Sequence, residues 1–128
     1  MLTVLAKNGY LHVTAEGRRS LETALAISRD LMDACGEHST PVVLLDARKL
    51  EGRLPTIETY RLLTLHLPKI RNTRILNKAA IVELEENEES NSFFETVADN
   101  RGYNLRVFTS IEDASRWLGC GEGGGNSA

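Results

Sequence analysis

VVLLDARKLEGRLPTIETYRLL, residues 42–63, passes from an apolar run through one acid and a charged loop into a helical pattern. Residues 42–45 show no polar alternation, which predicts a strand buried on both faces, as in a parallel sheet flanked by helices. Gly52 and Pro55 punctuate the loop that follows. Thr56 is predicted to cap a helix that runs through Leu67, where Pro68 removes a backbone donor and kinks or stops it. Asp46 is expected to close the strand, accepting hydrogen bonds from its own loop or pairing with Arg48.

Outward from this stretch the periodicity keeps switching between strand and helix. LTVLA (2–6) and YLHVTAE (10–16) read as a hairpin, with Asn8-Gly9 as the turn. Ser20 is predicted to cap a helix whose apolar positions Leu21, Leu25, Ile27, Leu31 and Cys35 recur at helical spacing, with Gly36 ending it. AAIVEL (79–84) is a second buried strand and LRVFT (105–109) a third. Between them, SFFETVADNRG (92–102) reads as a helix with Phe93, Phe94, Val97 and Ala98 inward. Ser110 and Asp113 form a capping-box-like start for a last helix, which Trp117 is expected to pack on the sheet. The expected fold class is therefore α/β: a mixed, mostly parallel sheet of about five strands with about four helices and an N-terminal antiparallel hairpin.

The chain has 128 residues, the size of one ordinary domain, so residues 1–119 are expected to form a single unit and the glycine-rich 120–128 a flexible tail. With 41% apolar and 26% charged residues, the composition is that of a globular protein. No apolar run is long enough to span a bilayer, and the first residues lack the pattern of a signal peptide, so a cytoplasmic location is expected. A net charge of −3 argues against nucleic acid as partner. The charge is unevenly spread. Residues 48–78 carry +6 and residues 83–99 carry −7.

The residues that could do chemistry do not assemble into an active site. A receiver-type aspartate would need an acidic pair after the first strand and a lysine after the last, whereas this chain has Ala6-Lys7 and Thr109-Ser110 there. No histidine has a hydroxyl or thiol placed by sequence to use it, and the GEGGG run follows a helix instead of opening one. A metal site at Glu83, Glu85 and Glu86 is the remaining enzymatic alternative, and hydrated loop carboxylates are the simpler reading. No catalytic residue, metal or cofactor is expected.

LLDARKLEG, KAAIVEL and RGYNLRVFTSIEDASRWLG resemble the small single-domain proteins similar to the sporulation anti-sigma-factor antagonist, within the STAS class (sulfate transporter and anti-sigma antagonist). The resemblance implies the mixed sheet described above and a noncatalytic, regulatory interaction module. In regulatory members of the class, the loop after the third strand presents a serine for phosphorylation. The corresponding DARKLEGRLPTIE has none, and Thr56 is the hydroxyl closest to that position. The expected site is the face of residues 46–67, where Asp46, Arg48, Arg53, Thr56, Leu62 and Leu65 would meet a protein partner or a second copy of the chain. The alternative is a small anionic or lipid ligand at the same face. Helical spacing predicts Tyr60, Leu63, Leu67 and Ile70 facing the sheet, with Leu62 and Leu65 projecting away from it.

Overall fold

A computed structural model describes residues 2–69 and 77–119. In chain order its elements are β1 (Leu2–Ala6), β2 (Leu11–Arg18), α1 (Leu21–His38), β3 (Val42–Glu51), α2 (Thr56–Arg61), β4 (Lys78–Val82), α3 (Glu88–Asn100), β5 (Leu105–Phe108) and α4 (Ile111–Leu118). The strands lie side by side in sequence order, with β1 antiparallel to β2 and every later pair parallel. The expected α/β architecture is therefore present, and Ile70, Arg71 and the 120–128 tail lie outside the described residues.

Local chemistry accounts for most of the element ends. Gly9 takes φ 95° in the hairpin turn, where Lys7 N–H donates to the Tyr10 carbonyl at 2.8 Å. Ser20 Oγ accepts from Thr23 N at 3.0 Å and Ser110 Oγ from Asp113 N at 3.1 Å, each satisfying a first-turn donor. Two expected ends differ. α1 runs through Gly36 to His38 and closes on Ser39 in the left-handed region, where Thr40 N–H reaches back to the Cys35 carbonyl. α2 begins at Thr56 with Pro55 before it and no side-chain cap.

Side-chain alternation sorts the sheet into two faces. Leu11, Val13 and Ala15 of β2 and Val43 and Leu45 of β3 pack under α1. Leu44, Ala80 and Val82 point the other way and are covered by Ala114 and Leu118 of α4. Trp117 is only half-buried at the edge of that layer, 5.7 Å from the Phe108 ring, with Lys78 Nζ 4.6 Å over its face. A third cluster joins Leu63 to Val97 and Ala98 of α3. Three helices thus share one face and α4 covers part of the other.

Candidate functional site

β3 does not end at Asp46. It continues to Glu51, pairing with the end of β2 through a bulge, because the register passes from Thr14↔Asp46 to Glu16↔Lys49. The extra residue lets both Ala47 and Leu50 line the helix-covered face. Asp46 itself sits mid-strand, opposite Val82 of β4, and its side chain shares the face of Leu44. It accepts from Arg48 Nε at 2.9 Å, Arg48 Nη2 at 2.9 Å and Arg48 N–H at 3.1 Å. The expected pairing with Arg48 is present, while the expected place at the strand end is corrected.

The Arg48 guanidinium bonds hold the Asp46 carboxyl below its ordinary value, against the opposing effect of burial. A carboxylate with a lowered folded pKa stabilises above its unfolded pKa, and the contribution disappears as pH falls through the folded pKa. Asp46→Asn should therefore be less stable than wild type near neutrality. The gap should close as pH falls below 3.8, the ordinary carboxyl value, and vanish below the lowered one. Denaturant titrations across that range check it, and a gap that persists in strong acid would contradict it. His12 on the neighbouring strand is shifted down by burial, with Asp46 opposing.

The six residues expected to share one face are dispersed over three surfaces. Asp46 and Arg48 lie on the α4 side of the sheet. Arg53 lies on the opposite side, at the rim of a cavity under α1–α3. Thr56 and Leu65 are exposed on α2 and its continuation. Leu62 is 6% exposed and lines the cavity, whereas Tyr60, expected inward, is 45% exposed. The reason is the course of the helix. After Arg61 the chain makes a π-helical turn, Leu62–His66, in which Leu67 N–H donates to the Leu62 carbonyl, and then a 3-10 turn, Leu67–Lys69. A wider turn shifts the angular phase assumed by a uniform helical wheel, and Thr59 takes the inward place instead of Tyr60.

Two surfaces follow from this element. Its outer side carries Ile57, Tyr60 and Leu65, three of the four large hydrophobic residues most exposed in the described chain, the fourth being Leu5. Arg61 and Lys69 are exposed beside them. Its inner side, through Thr59, Leu62 and Leu67, walls a cavity of about 220 Å³. The floor is the sheet at Val43, Leu45 and Ile81, and α1 contributes Ala24, Ile27 and Leu31.

One end of the cavity is held by an ion pair that sequence reading missed. Arg19, just after β2, reaches across β3 to Glu83, just after β4, with Nη1···Oε2 2.7 Å and Nη2···Oε1 2.8 Å, and also donates to the Ala47 carbonyl at 3.1 Å. The side chains are 13% and 12% exposed, and Arg19 Nε is buried with no partner among the described residues. No local signal joins residues 64 positions apart. The pair also bears on the metal alternative, since both Glu83 oxygens are engaged by Arg19. Among the described residues, no group of three or more His, Cys, Asp or Glu is arranged to hold a metal ion.

The architecture places the chain among proteins with a SpoIIAA-like, STAS-type fold. It is similar to an uncharacterized protein from the DUF3478 family with a SpoIIAA-like fold from Shewanella loihica PV-4, at 22% identity over 92% of each chain and a TM-score of 0.56. It is also similar to an anti-sigma factor antagonist from Mycobacterium paratuberculosis, at 16% identity over 92% of each chain and a TM-score of 0.59. No family model matches the sequence, and no curated protein matches it. Among the described residues no helix is long and apolar enough to cross a membrane.

Proposed function

We propose that this chain is a noncatalytic regulatory module that docks a protein partner through the outer side of α2 and its π-turn continuation. The carrying observation is the concentration of Ile57, Tyr60 and Leu65 on that one element, each about half exposed. Burying them contributes roughly 2–4.5 kcal/mol, since full burial of such side chains is worth roughly 1.5–3 kcal/mol each and about half of that remains to be gained. Association entropy exceeds this, so polar contacts must add to it. Arg61 and Lys69 supply them, and the partner that fits carries an apolar patch with an acidic rim. The anti-sigma factor antagonist of the same fold supports a protein as the partner class.

The test is affinity capture by the wild-type chain and by Ile57→Glu/Leu65→Glu, with sedimentation of both alone. The double variant should lose the captured protein and keep its fold by circular dichroism, and hydrogen exchange on the complex should show protection over residues 56–66. Self-association would appear as a wild-type dimer that the variant abolishes. Unchanged capture and unchanged sedimentation would overturn the reading.

A further inference from the structure

We infer that the outer edge of β1 joins a second copy of this chain, extending the sheet across a two-fold axis at Val4. The inference does not rest on the docking surface of α2, because it uses a different element. The hairpin fixes which backbone groups face outward. Lys7 N–H donates to the Tyr10 carbonyl, which makes these two a hydrogen-bonded pair, and bonded and non-bonded pairs alternate along an antiparallel ladder. By the register of the hairpin, Leu5 with His12 and Thr3 with Thr14 are then bonded pairs as well, whereas Leu2, Val4 and Ala6 turn their N–H and C=O away from β2. Among the described residues no strand lies beyond β1. The edge also lacks the usual protections, since LTVLA holds no charge, no proline and no bulge, and the Leu5 side chain is 53% exposed.

The opposite edge is closed. Glu95 of α3 accepts the Val107 N–H of β5 at 2.6 Å, and Arg106 sets an exposed charge on the same strand. A chain with one open edge adds one copy and stops, whereas two open edges would let the sheet grow copy by copy. A two-fold axis normal to the sheet makes the two β1 strands antiparallel and keeps both copies of α1 on one face. With Val4 opposite its own copy, Leu2 opposes Ala6, and every outward N–H and C=O of these three residues finds a partner. A slip of two residues leaves one of the three without a partner on β1, and a slip of one opposes an outward residue to one already bonded to β2. The same register continues the α1-side layer through Leu2 and Val4 and lays Thr3 against the exposed Leu5.

Sedimentation equilibrium of the intact chain across micromolar concentrations should show monomer and dimer and no larger species. Proline at an outward position removes a donor to the second copy without touching the bonds between β1 and β2. Ala6→Pro and, separately, Val4→Pro should weaken the dimer about thirtyfold, the effect of two hydrogen bonds lost per dimer, with circular dichroism unchanged. Hydrogen exchange should protect the Val4 and Ala6 amides at high concentration and release them on dilution, while Thr3 and Leu5 stay protected by β2 throughout. In a Cys120→Ser background, Val4→Cys should form an intermolecular disulfide on mild oxidation and Thr3→Cys should not, because only residue 4 meets its own copy. Ile57→Glu/Leu65→Glu should leave the dimer intact and Ala6→Pro should leave partner capture intact, which separates this edge from the α2 surface. A monomer at every concentration, a dimer unmoved by both prolines, or Val4 and Ala6 amides protected in a monomer would overturn the interface. Absence of cross-linking through Val4→Cys, or cross-linking through Thr3→Cys, would overturn the register.

Discussion

Arg19→Ala should destabilise the protein by roughly 1–3 kcal/mol, the cost of leaving a part-buried carboxylate without its charged partner. The loss arises because Glu83, with a side chain only 12% exposed, would keep its charge away from water with only a 3.4 Å contact from Asn87 Nδ2 to compensate it. The Ala47 carbonyl would lose a donor as well. Glu83→Ala should cost a similar amount by leaving the guanidinium with the Ala47 carbonyl alone, its Nε having no partner among the described residues. The pair Arg19→Met/Glu83→Leu, which replaces both charges by apolar groups of similar length, should recover most of the loss, because the desolvation penalty of both ions disappears with them. Equilibrium urea unfolding of the two single variants and the double variant measures all three. Additive losses in the double variant would show that the two side chains act separately, contrary to the geometry.

Leu44→Ala should cost about 3–5 kcal/mol, and Leu45→Ala, its neighbour on β3, should cost about 2 kcal/mol. The two leucines differ by one position and therefore by one face of the sheet. Leu44 is 0% exposed and packed beneath Ala114 and Leu118 of α4, so its removal opens a new void in a filled layer. Leu45 borders the existing cavity and forfeits fewer contacts, because part of its surface faces empty space. Thermal and denaturant unfolding of both variants give the comparison. Equal losses would mean that the two faces are filled to the same density and would remove the physical basis of the cavity.

The local pieces were legible in the residues. The unbroken apolar run at 42–45 marked a strand buried on both faces, Ser20 and Ser110 announced helix starts through their own hydroxyls, and Asp46 found Arg48 because residues two apart on a strand share a face. All of these depend on interactions within a few residues, so periodicity and residue type suffice to read them. The tertiary structure alone decided where β3 ends, since its last residues are held by the end of β2 through a bulge that no local pattern encodes. It also decided that Leu62 faces the cavity and Tyr60 the solvent: a uniform wheel assumes one angle per residue, and the π-turn changes that angle where α2 packs over the sheet. The Arg19–Glu83 pair and the cavity beside it depend on which strands become neighbours and how closely three helices approach one face. Those are properties of long-range packing, and side chains 64 residues apart acquire their relation only when the sheet forms.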